Sequence, residues 1–125
     1  ITDIAGIRVI CNYIDDIYKI AELLLKQSDI ELVREKDYIE DPKNNGYRSL
    51  HLVVLVPVFL SDKVEKVPVE LQIRTVVMDA WASLEHELKY KREETISKTA
   101  VKSLKQCAEE MAAVDARMQK IHREL

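Results

Sequence analysis

The chain has 125 residues, a formal net charge of −3 at pH 7, and a composition that is 47% hydrophobic and 33% charged. This length and balance fit one soluble globular domain, which can bury a core without disulfides or metals. The acidic charge excludes a general attraction to nucleic acid or anionic membrane, so an anionic ligand needs a local basic patch. No apolar run approaches the roughly 20 residues that span a bilayer. No Cys/His spacing suggests zinc, and we expect Cys11 and Cys107 to be reduced, buried thiols of a cytoplasmic protein.

The first 75 residues predict strands with one intervening helix. Segments with β-branched or alternating apolar patterns, which predict strands, are 4–13, 29–39, 50–60 and 64–75. Helical spacing predicts a helix over 15–27, with Asp15 placed to cap it. Residues 40–49 are expected to form a loop, and 50–60 is apolar enough for a central strand covered on both faces. This order predicts a mixed sheet with helices packed on it.

After Thr75 the apolar spacing becomes that of helices, one from Val77 to Lys91 and a second from Glu94 to the end. In the second helix, spacings of three and four over about three heptads are shown by Leu104, Cys107, Met111, Val114, Met118, Ile121 and Leu125. We call these seven residues the apolar seam. The helix would be over roughly 40 Å long, more than a domain of this size covers alone. The seam therefore predicts packing on its own domain, a two-helix hairpin or self-association.

One face of the last strand carries Glu70, Gln72 and Arg74 at alternate positions, whereas its other face is apolar. Asp3, at the start of the first strand, adds a second carboxylate. A salt bridge or an exposed sheet face explains these residues without any site. The functional alternative is a pair of carboxylates from neighbouring strands that holds Mg²⁺ and the substrate phosphates in its shell.

The segment DPKNNGYRSLH, residues 41–51, contains more than a turn requires. Lys43 and Arg48 could be solvated charges. Tyr47 between these cations suits base stacking combined with phosphate pairing. His51 opens an apolar strand and could equally be a satisfied core histidine. Polar residues of the following helix that could equally form only a solvent face are Asp79, Glu85 and His86.

Taken together, four motifs in this order and at these gaps strongly resemble the RelA/SpoT-type alarmone synthetase domain, in particular the small single-domain synthetases of Gram-positive bacteria. The motifs are DIAGIR (3–8), PKNNGYRSLH (42–51), VELQIRT (69–75) and WASLEHELKYK (81–91). The resemblance covers about residues 1–92, the expected catalytic core, and leaves 93–125 as a helix for packing or oligomerisation. It implies a nucleotidyltransferase-like α/β (α+β) fold, with a mixed five-stranded sheet flanked by helices and a long C-terminal helix.

The resemblance implies a GTP pyrophosphokinase of the stringent response, a transferase that moves pyrophosphate from ATP to the 3′-hydroxyl of GDP or GTP with Mg²⁺. Asp3 and Glu70 are the expected catalytic and metal-binding residues, with Glu70 orienting or deprotonating the hydroxyl. Tyr47 is expected to stack on guanine and Arg8 to flank adenine. The other expected nucleotide-binding residues are Lys43, Asn45, His51, Gln72, Glu85 and Arg74.

Two other functions fit the same fold: a tRNA 3′-end pyrophosphokinase, and an inactive nucleotide-binding or interaction module. The intact loop around Tyr47 and the net acidic charge favour guanosine nucleotides over tRNA. The presence of both Asp3 and Glu70 argues against an inactive module. The sequence has no hydrolase motif of the His–Asp type, so we expect synthesis of the alarmone and not its degradation.

The family also carries a basic segment shortly before its DIxGIR motif, and that segment holds the ATP phosphates. The sequence begins two residues before Asp3, so we expect these 125 residues by themselves to have little or no activity. The resemblance further implies a homotetramer, formed here through the apolar seam. No membrane, tRNA or DNA partner is expected.

Overall fold

A computed structural model describes residues 4–91 and 97–125 of the chain. The strands are β1 (Ala5–Cys11), β2 (Glu31–Asp37), β3 (Leu50–Phe59) and β4 (Val64–Thr75). The helices are α1 (Ile14–Leu25), α2 (Val76–Lys91) and α3 (Lys98–Glu124). No helix within the two described segments is long and apolar enough to cross a membrane.

The strands form one mixed sheet in the order β1-β4-β3-β2. β1 runs parallel to β4, and β3 runs antiparallel to both β4 and β2. The sheet of the described residues has four strands, so the five strands implied by the resemblance are wrong for this part of the chain. The physical reason is that the segments between the four patterned stretches carry helical spacing or turn residues, neither of which can add a strand.

The two faces of the sheet have different roles because side chains alternate along each strand. Helix α1 packs Ile17 and Ala21 against one face of the sheet, and the hydrophobic core lies between them. Apolar strand residues that are at most 1% exposed on this core face are Leu50, Leu52, Val54 and Ile73. The alternation places Glu70, Gln72 and Arg74 of β4 on the opposite face, which we call the polar face.

Helix α1 begins at Ile14, after an N-cap residue, Tyr13, whose side chain makes no capping hydrogen bond. The prediction that Asp15 caps this helix was therefore wrong. The Asp15 backbone N–H donates to Gln119 Oε1 at 2.7 Å, and its carboxylate accepts from the Arg123 guanidinium at 2.7 and 3.0 Å. Contacts with the C-terminal end of α3 thus take the place of a local cap.

Helix α3 packs on the domain through a different face from the predicted seam. Its buried residues are Ala108, Asp115 and Gln119, and Trp81 of α2 donates its indole N–H to the carbonyl of Leu104 at 2.8 Å. The exposed members of the apolar seam are Cys107, Val114, Met118, Ile121 and Leu125. At about 100° per residue, they lie roughly a quarter turn from the buried face. The expectation of a buried Cys107 is therefore wrong for the chain by itself.

Candidate active site

The polar face carries the predicted site residues in adjacent cross-strand rows. Arg8 of β1 pairs with Gln72 of β4, which pairs with His51 of β3. One row away, Glu70 pairs with Gly6 of β1. A Cβ atom at Gly6 would meet no heavy atom of the described residues within 4 Å, its chain neighbours aside, so these residues leave the sheet open at Gly6, beside Glu70. Three strands therefore present an amide, a carboxylate, an imidazole and a guanidinium on one face.

A chain of polar contacts runs along β4 and continues into α2. Gln72 Nε2 donates to Glu70 Oε1 at 3.0 Å, and Arg74 Nη2 donates to Gln72 Oε1. Asp79 Oδ1 lies 3.7 Å from Arg74 Nη1 and 3.4 Å from Arg8 Nη1. Asp79 thus links two arginines of the polar face, a role that the sequence analysis missed. Its place in the first turn after β4 was the available signal.

Three aromatic rings and two cations meet where the loop enters β3. The Tyr47 hydroxyl lies 2.8 Å from His51 Nε2. The Tyr38 ring stands edge-on to both, with centroids 6.2 Å from Tyr47 and 5.1 Å from His51. Lys43 Nζ lies 4.8 Å from the Tyr38 centroid and 5.1 Å from that of Tyr47, and the Arg74 guanidinium carbon lies 5.6 Å from the latter. Rings beside cations suit a base with attached phosphates. Tyr38 was also missed, although it is an aromatic residue adjoining the loop.

His51 lies between Tyr47 and the Glu70 carboxylate. Its Nδ1 is 3.9 Å from Glu70 Oε1. Burial lowers the pKa of His51 from its usual value, and Glu70 opposes this shift. Cations that also lower the pKa are Lys43, Arg74 and Arg34. A neutral ring with its proton on Nδ1 satisfies both neighbours, because Nε2 then accepts from the Tyr47 hydroxyl while Nδ1–H faces the carboxylate.

The tip of the loop is tied to α2. Asn45 Nδ2 donates to Glu85 Oε2 at 3.2 Å, and Glu85 also pairs with Lys89 Nζ at 2.9 Å. Asn45 Oδ1 accepts the backbone N–H of Tyr47 at 3.0 Å. The predicted residues Asn45 and Glu85 therefore contact each other, and Asn45 helps to orient the loop tyrosine.

Alternate residues of the loop face α3. Arg48 is 9% exposed and its Nη2 lies 3.6 Å from Asp115 Oδ2, so it is not a solvated charge. Gly46 has a φ of +100°, and a Cβ atom there would lie 2.6 Å from the Ala108 Cβ. The loop thus contacts α3 through Gly46 and Arg48, while Tyr47 contacts the polar face.

Asp3 lies outside the described residues. Within residues 4–91 and 97–125, no group of three or more His, Cys, Asp or Glu side chains is placed to hold a metal ion. Glu70 is thus the predicted metal ligand that the described segments contain. Carboxylate oxygen is a suitable donor for Mg²⁺.

A family model described as "Region found in RelA / SpoT proteins" matches residues 1–95. The chain belongs to the RelA/SpoT family. This RelA/SpoT domain is 47% identical over all 125 residues to the GTP pyrophosphokinase YwaC of Bacillus subtilis (strain 168), and it spans 60% of that protein's length. The family predicted from the four motifs is therefore confirmed.

The fold is also that of known structures. Small alarmone synthetase 2 from Bacillus subtilis superimposes with a TM-score of 0.92 at 46% identity, covering 96% of this chain and 65% of that one. Small alarmone synthetase 1 from the same organism, bound to its product pppGpp, gives 0.88 at 38% identity over 96% and 62%. Its structure bound to AMPCPP gives 0.75 at 32% identity over 96% and 59%. The predicted α+β fold with a long C-terminal helix is confirmed.

The lowered pKa of His51 predicts a specific pH dependence of stability. The folded chain binds fewer protons than the unfolded chain near His51's unfolded pKa of about 6.5. This contribution to stability is therefore present above about pH 6.5 and is lost as the pH falls toward the folded pKa. We expect the His51 ring protons to titrate below about pH 6.5 in an NMR titration.

Urea unfolding of a His51→Gln variant provides the thermodynamic check. Between about pH 7.5 and about pH 5.5 the variant should lose less stability than the wild type, because glutamine does not titrate. A ring midpoint at or above about 6.5 would show that attraction to Glu70 prevails over burial.

Proposed function

We propose that this RelA/SpoT domain is the catalytic core of a (p)ppGpp synthetase, which transfers pyrophosphate from ATP to the 3′-hydroxyl of GDP or GTP. The observation that carries the proposal is the line from Tyr47 through His51 to Glu70, which joins a base-stacking ring to a carboxylate on one open face. YwaC, which is named a GTP pyrophosphokinase, supports this reaction. Because the domain spans 60% of YwaC, the activity, substrates and partners of the whole protein are part of the proposal.

The acceptor nucleotide would bind at the loop. Tyr47 offers a ring face for guanine, while Lys43 and Arg74 supply positive charge within 6 Å of that ring for the phosphates. The amides of Asn45 and Gln72 supply donors and acceptors for the edges of the base or the ribose. The net charge of −3 restricts anion binding to this local cluster, which favours a small nucleotide over tRNA.

Glu70 would orient or deprotonate the 3′-hydroxyl. Gln72 holds one carboxylate oxygen, and neutral His51 faces the same oxygen, so the carboxylate is fixed before the acceptor arrives. A general base must lie within hydrogen-bond reach of the proton it removes. The Cα atoms of residues two apart on β4 are about 7 Å apart. The Cα atoms of Glu70 and Arg74 are therefore roughly 14 Å apart, a distance that a bound nucleotide spans. Guanine and the 3′-hydroxyl can therefore be held at different points of one strand.

Mg²⁺ would be held by Glu70 together with Asp3. When bound, the ion would neutralise charge that develops on the transferring phosphates. Arg8, whose side chain is 58% exposed, would flank the adenine of ATP while Asp79 holds its guanidinium. Binding of AMPCPP by small alarmone synthetase 1 supports ATP as the donor. These nucleotides are cytoplasmic, so we assign the protein to the cytoplasm.

Replacing the proposed general base, Glu70, tests the chemical step. A Glu70→Gln variant of the intact natural protein should lose about 10²- to 10⁴-fold in kcat for (p)ppGpp formation, because glutamine cannot accept the proton. Its carbonyl oxygen can still accept from Gln72, so GDP binding should change by less than about threefold. The matched control is Glu65→Gln at an exposed position of the same strand, which should leave kcat unchanged. Equal kcat for the two variants would exclude Glu70 as the base.

Removing the loop ring tests acceptor recognition. Tyr47→Ala should weaken GDP binding by roughly 1–3 kcal/mol, which is a change in Kd of about 5- to 150-fold, measured by calorimetry. The loss should be specific to guanine over adenine nucleotides. Phe59→Ala removes a 76% exposed aromatic ring at the opposite end of β3 and should leave the Kd unchanged. Equal affinities for wild type and Tyr47→Ala would mean that the ring does not bind the base.

We also propose that the protein assembles into a homo-oligomer, a tetramer by the family resemblance, through the exposed part of the apolar seam. Val114, Met118 and Ile121 are 48%, 47% and 53% exposed, and they lie in line on one side of α3. Such a stripe normally covers a partner surface. A second helix of the same sequence offers the matching three-four spacing.

Charge introduced into the stripe tests the assembly. Val114→Glu combined with Met118→Glu should give monomers in light scattering, because an interface would bury two unpaired charges per chain. Gln106→Glu combined with Ala113→Glu adds the same charge about a quarter turn from the stripe, on the side of α3 that faces away from the domain, and should leave the mass unchanged. If the first pair leaves the oligomer intact, the stripe is not the interface.

A further inference from the structure

A buried carboxylate on α3 joins two parts of the acceptor site. Asp115 is 2% exposed and accepts a hydrogen bond from the Thr75 hydroxyl at 2.7 Å through Oδ2. The same oxygen lies 3.6 Å from Arg48 Nη2. The Thr75 hydroxyl in turn accepts the backbone N–H of Met78 at 3.1 Å. One carboxylate on α3 therefore holds the loop, the end of β4 and the start of α2.

The two residues held by Asp115 have neighbours that belong to the site. Arg48 follows Tyr47 in the chain, and Thr75 follows Arg74. The Tyr47 ring and the Arg74 guanidinium lie 5.6 Å apart on the polar face. Fixing Arg48 relative to Thr75 thus also fixes the aromatic ring relative to the cation.

The close contact between Gly46 and Ala108 holds the same loop against α3 about two helical turns from Asp115. A Cβ atom at Gly46 would overlap the Ala108 Cβ, so the backbone of the loop lies directly against α3. Residues 42–49 have no helix or strand of their own. Two backbone hydrogen bonds within the loop, from Lys43 N–H to the Tyr47 carbonyl and from Gly46 N–H to the Lys43 carbonyl, are thus supplemented by these anchors on α3.

From these contacts we propose that Asp115 is a positioning residue for the acceptor nucleotide: through Arg48 and Thr75 it sets the separation of Tyr47 from Arg74. The inference rests on the proposed function, since the acceptor is taken to be a guanosine nucleotide. Glu70 is one contact further from Asp115, because it is linked to Arg74 only through Gln72 and to Tyr47 only through His51 among the contacts described above. Loss of Asp115 should thus impair acceptor binding more than the chemical step.

The test is Asp115→Asn in the intact natural protein, with initial rates measured at varied GDP and saturating ATP. The variant keeps the shape of the side chain but leaves the buried Arg48 cation without its counter-charge. We expect the KM and the calorimetric Kd for GDP to rise about tenfold or more, with kcat changed by less than about threefold. Glu110→Gln removes an exposed carboxylate from the same helix and should change neither constant.

A double-mutant cycle identifies the path of the effect. Arg48→Met should raise the KM for GDP as Asp115→Asn does, and the double variant should rise no further than the larger single effect. Additive effects would show two independent structural losses and would overturn the proposal. An unchanged KM, or a loss confined to kcat, in folded Asp115→Asn would also overturn it.

A second variant is decisive if Asp115→Asn does not fold. Thr75→Val removes the hydroxyl that donates to Asp115 while leaving the Arg48–Asp115 ion pair in place, and it should raise the KM for GDP with little change in kcat. Thr99→Val makes the same change at an exposed position of α3 and serves as its control. An unchanged KM in Thr75→Val would overturn the proposal. A wild-type protein that neither binds guanosine nucleotides nor makes (p)ppGpp would instead refute the proposed function itself, and with it this inference.

Discussion

The burial of one face of β4 is the constraint on which the rest of the structure depends. Leu71 and Ile73 are held in the core between α1 and the neighbouring strands. Because side chains alternate along a strand, this burial fixes the direction of Glu70, Gln72 and Arg74 as well. The polar residues do not have to order themselves when a ligand arrives. Such preorganisation lets charged groups stabilise a developing charge at little further cost.

Charged groups on and behind the polar face are held by partners within the protein. Arg74 is 4% exposed and lies between Gln72 and Asp79, while Arg48 lies beside Asp115. A buried charge without a partner is strongly destabilising, so these contacts are conditions for folding as well as for function. His51 avoids a buried charge in a different way, because burial lowers its pKa and favours the neutral ring. The site thus places its positive charge on arginine and lysine and leaves Glu70 as the carboxylate beside the open surface.

Helix α3 supports the loop from behind and leaves an apolar stripe on its outer side. Its inner side combines an alanine that admits Gly46 with an acid that meets Arg48. Small and polar residues at these positions explain why the hydrophobic pattern alone misjudges the packing face. The same helix therefore supports the loop of its own chain and leaves Val114 and Met118 exposed for the proposed contact with another chain.

The sequence by itself determined the family, the four strands, the three helices and the set of residues that share the polar face. Periodicity fixes which side chains lie on the same side of a strand, and the four motifs are specific because they occur together. The five strands implied by the resemblance, a capping role for Asp15 and a buried Cys107 were wrong for the described residues, and the sequence left open whether Arg48 is solvated. The positions of Asp15 and Arg48 depend on contacts between residues far apart in the chain: Asp15 meets Arg123, and Arg48 meets Asp115.

Only the tertiary structure decided which face of α3 is buried and that Asp79 and Tyr38 join the site. Hydrophobic spacing records where apolar residues recur, but not which flank of a helix meets its neighbour. That choice follows from shape and charge complementarity, here the space for Gly46 at Ala108 and the counter-charge for Arg48 at Asp115. Local pattern therefore determined the elements and their faces, while long-range packing decided how those faces meet.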